Sequence, residues 1–494
     1  MSRRTPHPAA SLALILAASF MVVLDFSIVN VALASIEHEL AVGTTAVQWV
    51  ITAYAITFGG LLVLGGRIGD LFGRRRVFVA GLVVFSFASL AGGLATSIGV
   101  LIAARAVQGV GAALVAPAAL SLITAATAEG PARNRALGYY GATGSVGFVA
   151  GLVLGGALVQ YFDWRSVLWV NVPIGLLAAA LAPFLVTEVP RGARARLDVV
   201  GGVLVTGATA ALVYGISEGP ALGWTSAATL LALASSVVLG AAFVHLERRH
   251  PAPLVRLGML RRRGLRSANL AMAMLGGWSA GELLTVPLFF QLVLHYSALV
   301  TGLAMVPQGL IGFVAVLRGA SIVRRVGVRS LLIASAGAAS VGLFLLASSF
   351  GWHDYALFLP GFMFVGFGSA AGAFGATVAA TRGVSDEEQG LAGGLINMSR
   401  QVGAAFGVAL AAAIIGTGTA SGGSVGADRA SLFVIAAFGV VAAVVVSHGL
   451  ARARPEARAA ARADEDAEVL VRAGCDLQPQ AEGEDGTPPY ALVR

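Results

Sequence analysis

Between Ser11 and Ser35 the chain reads SLALILAASFMVVLDFSIVNVALAS, with Asp25 as its one charged side chain. About 20 apolar residues carry a helix across the hydrocarbon of a bilayer. Runs of that kind recur, among them VFVAGLVVFSFASLAGGLAT from Val77 and SLFVIAAFGVVAAVVVSHGL from Ser431. Only 12% of the residues are charged and 57% are hydrophobic. A soluble domain carries about 25% charged residues, so this chain has too little polar surface to close in water. Transmembrane barrels alternate over segments of about 10 residues, and no such alternation is seen. The fold class is therefore an all-α polytopic membrane protein.

Fourteen spans are expected, at about 11–34, 47–66, 77–97, 99–127, 135–160, 164–186, 198–217, 226–246, 268–295, 299–322, 330–349, 355–380, 393–416 and 430–450. The basic residues, 33 in number and all arginine, check the count. Segments after even-numbered spans hold Arg67 to Arg76, Arg133, Arg135, Arg191 to Arg196, Arg248 to Arg266, Arg324 to Arg329, Arg382 and Arg400. Segments after odd-numbered spans hold only Arg165 and Arg429. Positive charge collects on the cytoplasmic side, which puts both termini there and makes the protein a multi-pass inner-membrane one. The first run is too long for a signal-peptide core and reads as a retained helix. Cys475, the single cysteine, allows no internal disulfide.

The turn GGRIGDLFGRRRVFVAG, Gly65 to Gly81, concentrates charge between two apolar runs. Any Arg-rich loop anchors topology, but that leaves Asp70 and the glycines unexplained. RRVGVRSLL, from Arg324, echoes DLFGRRRVF, from Asp70, without its acid, and QGVGAAL, from Gln108, is matched by VGFGSAA, from Val365. These echoes divide the chain into a cytoplasmic start (1–10), a six-helix half (11–186), a linker pair of helices (198–246) and a second six-helix half (268–450). Two related halves with a midplane site between them are a common transporter plan. The tail, 451–494, is rich in Ala, Arg and Glu and reads as cytoplasmic and disordered.

Ionisable residues within spans mark function, because each costs about 2.5–3.5 kcal/mol at a helix centre on insertion scales. Three stand well inside: Asp25, Arg105 and Glu282. Asp25 lies roughly 15 Å below one end of the first span and Arg105 roughly 9 Å below the same end of the fourth, so the two can meet. They fit either a static ion pair or a proton site, whose affinity changes when tilting of the bundle withdraws the arginine. Glu282, near Trp278, Phe289 and Phe290, suits an organic cation, a second proton or a hydrogen bond to a polar neighbour. With Trp278, Phe289, Gln108 and Asn30 it is expected to line a substrate cavity. Gly147, Gly151, Gly155 and Gly156 form a smooth helix face for close packing. Walker, zincin, Cys/His and nucleophile-elbow signatures are missing. The sequence therefore implies no enzyme, cofactor or metal, and an ion gradient as the energy source.

GGRIGDLFGRRR, RAVQGVGAAL (from Arg105), LDFSIVNVAL (from Leu24) and WRSVLWVNVPIG (from Trp164) fall in order on the expected helices. Together they resemble the motifs of the fourteen-helix drug–proton antiporters of the major facilitator superfamily. The resemblance implies the major facilitator fold and export of amphipathic drugs or antibiotics in exchange for protons. It assigns proton relay to Arg105, and a cytoplasmic gate to Gly66, Asp70, Gly73 and Arg74, with the acid contacting inner ends of neighbouring helices. The fifth-helix motif of that branch usually has Pro where this chain has Leu152, and the first-helix motif usually ends in Pro where this chain has Ala34. Expected partners are a small-molecule substrate, protons and the bilayer, with no nucleic acid, and a monomeric state. Transport of a metabolite, or a sensor that has lost transport, are the alternatives.

Overall fold

The computed structural model describes residues 8–127, 131–188, 198–250, 253–254, 258, 262–352, 354–381, 386–419, 425–450, 477–479 and 490–492. Fourteen helices among them are long and apolar enough to cross a membrane. They are α1 (Ala9–Glu39), α2 (Thr44–Phe72), α3 (Arg74–Gly93), α4 (Ile98–Ala126), α5 (Gly138–Tyr161), α6 (Ser166–Leu185) and α7 (Val199–Leu222), then α8 (Ala227–Glu247), α9 (Arg263–Val293), α10 (Ala298–Val326), α11 (Val328–Ser349), α12 (Tyr355–Thr381), α13 (Ala392–Gly416) and α14 (Val425–Gly449). The protein is thus a multi-pass membrane protein whose spans are all helical.

Arginines of the second turn do not sit in a loop. Gly73, at φ 103°, is the single residue between α2 and α3. That left-handed conformation suits glycine alone, and it lets Arg74, Arg75 and Arg76 form the first turn of α3. Arg400 is likewise helical, well inside α13 rather than in a connecting segment, because its neighbours on both sides continue one apolar helix.

Helix pairings repeat with an offset of eight. α1 packs on α5, α4 and α6; α9 packs on α13, α12 and α14. α2 and α3 pack on α4, and α3 also on α6; α10 and α11 pack on α12, and α11 also on α14. Small residues permit these approaches: a methyl group added to Gly111 would meet the Phe85 backbone at 2.7 Å, and one added to Gly342 would meet that of Val365 at 2.7 Å.

The two sets of helices meet along two seams. On one, α2 follows α13: Thr45 lies by Gly416, Gly59 by Gln401 and Val63 by Gly394. On the other, α5 meets α10 from the Arg-poor end to the middle of the bundle, with Gly156 by Ala298, Leu152 by Gly302 and Val149 by Gly309. Toward the Arg-rich end a methyl group added at Gly138, Gly141 or Gly144 meets nothing within 4 Å among the described residues. The Gln291 Nε2 donates to the Val31 carbonyl (3.0 Å) across the Arg-poor end. The linker helix α7 rides on both α2 and α13, with Gln48 donating to the Ser217 hydroxyl and the Trp49 and Tyr214 rings 6.3 Å apart. Its companion α8 exposes Leu230, Leu231, Val237 and Val238, as a lipid-facing helix does.

Two short segments of the tail, 477–479 and 490–492, fall among the described residues, and the rest of 451–494 lies outside them. Leu477–Pro479 (β1) and Tyr490–Leu492 (β2) pair antiparallel, Leu477 opposite Leu492.

Candidate functional site

Asp25 and Arg105 meet in the interior, with the Arg105 Nη1 2.6 Å from the Asp25 Oδ2 and the two side chains 1% and 0% exposed respectively. Gln108 lies one helical turn after Arg105, on the same face of α4. Its Nε2 donates to the Asp25 Oδ1 at 2.7 Å and to the Ser89 hydroxyl at 2.6 Å. Its Oε1 accepts from the Arg105 Nη1 at 2.6 Å. From α6 the Asn171 Nδ2 donates to the same Asp25 Oδ1 at 2.8 Å. Arg105 is fixed in turn by α2: its Nε donates to the Val50 carbonyl at 2.9 Å, and its Cζ stands 4.5 Å from the centroid of the Tyr54 ring.

The depth argument from sequence anticipated the Asp25–Arg105 meeting but missed Asn171 and Ser89, whose approach depends on where α6 and α3 pack. NVPIG, from Asn171, was the available signal. Gln108, expected on a cavity wall, is 0% exposed and belongs to this network. Asn30 stays outside it, its Nδ2 bonded to the Phe26 carbonyl of its own helix at 2.6 Å. Every member comes from α1, α2, α3, α4 or α6. The expectation that tilting of the bundle alone withdraws Arg105 does not follow from this packing.

Glu282 of α9 is also fully buried and accepts from the Gln308 Nε2 of α10 at 3.0 Å, while its Oε1 has no partner among the described residues. Trp278 sits one turn away and donates to the Ser369 hydroxyl of α12 at 3.0 Å. Phe289 does not join them at a cavity wall. It stacks on Phe350, centroids 3.7 Å apart, within an aromatic cluster that includes Phe290 and Phe358. Phe289–Val293 is a π-helical turn.

At the Arg-rich end Asp70 pairs with Arg74 one turn along, at 3.1 Å, and both side chains are substantially exposed. The bonds that tie this turn to other elements come from its neighbours. Arg75 donates to the Pro183 and Val186 carbonyls, each at 3.1 Å, and lies 3.6 Å from the Glu188 Oε2. The Arg67 Nη2 donates to the Pro253 carbonyl at 2.9 Å. Gly66 faces Pro117.

The glycine face of α5 is shared between two partners. Gly147, Gly151 and Gly155 lie against Val23, Ser27 and Ile28 of α1, and Gly156 turns to Ala298 and Leu299 of α10.

At the opposite end an open cleft of about 430 Å³ lies between α1, α5 and α9, lined by Ser35, His38, Glu39, Asp163, Trp164 and Tyr296 among others. Arg165 bridges Glu39 at 2.7 Å and Asp163 at 2.9 Å. Burial pulls its guanidinium down, but the bonds and charges of those two acids outweigh burial and hold it above the ordinary arginine value.

No group of three or more His, Cys, Asp or Glu side chains able to hold a metal occurs among the described residues.

Comparison with known proteins gives the family. The chain matches the Major Facilitator Superfamily over residues 15–408 and 319–480. It is 39% identical over 467 residues to the cephamycin export protein CmcT of Amycolatopsis lactamdurans, covering 92% of this chain and 96% of that one. It is 39% identical over 407 residues to the puromycin resistance protein pur8 of Streptomyces alboniger (81% and 80%). Identity to the multidrug resistance protein Stp of Mycobacterium tuberculosis is 36% over 397 residues (80% and 74%). In fold it is similar to the POT family transporter PepTSo, with TM-score 0.66 and 14% identity over 89% of this chain and 97% of that one. Fourteen membrane helices, paired alike in two sets, and these matches place the chain among transporters rather than enzymes: it belongs to the Major Facilitator Superfamily.

Proposed function

We propose that this protein is a secondary transporter that exports amphipathic organic compounds, an antibiotic among them, in exchange for protons. The Arg-rich end faces the cytoplasm with both termini, following the positive-inside rule. The α5–α10 seam then opens to the cytoplasm and is shut outside. Export and resistance are what the names of the relatives describe. Proton coupling is supported by one observation above all: a carboxylate sealed in the membrane and held by Arg105, Gln108 and Asn171. A buried carboxylate that loses its cationic partner takes up a proton, and one that regains it lets the proton go. Asp70 and Arg74, beside Gly66 and Gly73, gate the inner face. Glu282 and Trp278 stand in the wall of the second half. The working unit is a monomer in the inner membrane.

Asp25→Asn keeps the size of the side chain and one acceptor oxygen, and removes its charge and proton. In a host without its own pumps, wild-type protein is expected to raise tolerance to at least one member of a panel that includes a cephamycin, puromycin and lincomycin, and Asp25→Asn to confer none at equal membrane abundance. In vesicles, proton movement opposite to drug movement separates antiport from symport or uniport. Full proton-driven export by Asp25→Asn rules the reading out.

A further inference from the structure

Four ionisable side chains lie deep in the described helices around the centre of the bundle, and three are committed. Asp25 accepts from three donors, Arg105 is 1% exposed in the same network, and Glu282 is 0% exposed against Gln308. The fourth, Arg400, differs in each respect. It is partly exposed. It makes no side-chain hydrogen bond or ion pair among the described residues. Its backbone carbonyl is pressed against Gly276 of α9, and the next residue, Gln401, against Gly59 of α2. The side chain therefore starts from the α2–α13 seam, with Tyr54 of α2 and Tyr140 of α5 within range of its charge. The Tyr54 hydroxyl is buried and has no hydrogen-bond partner among the described residues. Glu388, an acid on the same continuous helix (Asp386–Thr419), is 12 residues away, about 18 Å at helical rise.

An unpaired guanidinium in the membrane interior is expensive, and a structure keeps one where something else supplies the counter-charge. Arginine's planar fork of donors matches a carboxylate in geometry as well as charge. We propose that Arg400 forms an anion-recognising subsite between the two halves, so that the cargo is an amphipathic compound bearing a carboxylate or a comparable acidic group. This deepens the transporter reading and rests on it. It also bears on cargo charge: the guanidinium has access to the seam, whereas the Glu282 carboxylate is sealed.

Equilibrium binding tests this without any gradient, so its outcome is independent of whether Asp25 couples protons. Three fluorescent probes share one dansyl body: dansylglycine is an anion, its methyl ester is neutral, and dansylcadaverine is a cation. Purified wild-type protein is expected to bind dansylglycine about tenfold or more tightly than the ester, the scale of one charge-assisted hydrogen-bonded contact. Arg400→Gln should erase that preference while leaving ester affinity within about twofold, a change too small to reflect a lost contact of this kind. Arg400→Lys should keep part of the preference, since it retains charge without the fork. No acid-over-ester preference in the wild type overturns the proposal. So does a preference that survives Arg400→Gln, or an equal loss for all three probes, which marks a structural role.

Discussion

Gly155 and Gly156 are adjacent, yet a methyl group on each would strike a different body, and this makes them a matched test of whether the α5–α10 contact opens. Added to Gly156, a Cβ would lie 2.6 Å from the Ala298 carbonyl oxygen and 2.7 Å from the Leu299 Cα, both backbone atoms of α10. Carbon pairs settle at about 3.5–4.0 Å, so α10 would have to retreat by about 1 Å, and no rotamer change can relieve it. Added to Gly155, a Cβ would lie 2.8 Å from the Ile28 Cγ1 and 2.8 Å from its carbonyl, both on α1 of the same half. Overpacking of this kind costs about 1–3 kcal/mol. For Gly156→Ala that cost falls only on the state in which α5 touches α10, and the ratio of open to closed states should rise about 5- to 150-fold at RT of about 0.59 kcal/mol. For Gly155→Ala it falls on both states alike and should lower thermal stability without changing the ratio. Spin labels at Phe162 and Val300, 78% and 46% exposed at this end of α5 and α10, with Cys475→Ser as background, read the two populations by distance. The reasoning fails if Gly156→Ala leaves the distance distribution unmoved, or if Gly155→Ala shifts it as far.

Two further predictions concern buried polar links. Gln308→Leu removes the one donor to Glu282 and should cost about 1–3 kcal/mol in detergent melting, whereas adding Glu282→Leu should recover most of the loss, because both unpaired groups are then gone; a double variant no more stable than the single would refute this. Gln48→Leu and Ser217→Ala should each loosen the linker helix from α2, and their double-variant cycle should show coupling of about 0.5–1.5 kcal/mol, with strict additivity counting against the link.

Span count was legible in the sequence because it is a local property. A run of apolar residues must be helical to satisfy its own backbone in lipid, whatever surrounds it. The Asp25–Arg105 meeting was legible because depth along a helix can be read from residue number. What was not legible needed the placement of a third element. Asn171 reaches Asp25 because α6 packs on α1, and nothing in WRSVLWVNVPIG states that. Phe289 lies two turns beyond Glu282 on one face of α9, so spacing put both on a single wall. At that height the neighbours have become Phe350 and Phe358, and the wall closes into an aromatic cluster. Arg400 was hidden by a useful rule: as a marker of sidedness it was grouped with loop arginines, although its apolar flanks continue a helix on both sides.

The composition of the Asp25 network limits how it can be worked. A rigid rotation of one six-helix set against the other carries Asp25, Arg105, Gln108, Ser89 and Asn171 along together and alters none of their mutual distances. Separation of acid from guanidinium therefore requires a side-chain or helix movement inside that set. Arg105 is the member most exposed to one, since two of its contacts, the Val50 carbonyl and the Tyr54 ring, belong to α2. α2 lies along α13 on the seam between the sets, where Gly59 leaves no room beside Gln401. A shift of α13 against α2 thus acts on the helix that holds the guanidinium before it acts on the helices that hold the carboxylate. Asp25 is kept by α4 and α6 in any case, through Gln108 and Asn171, so it is the arginine that has a reason to move and the acid that has reason to stay.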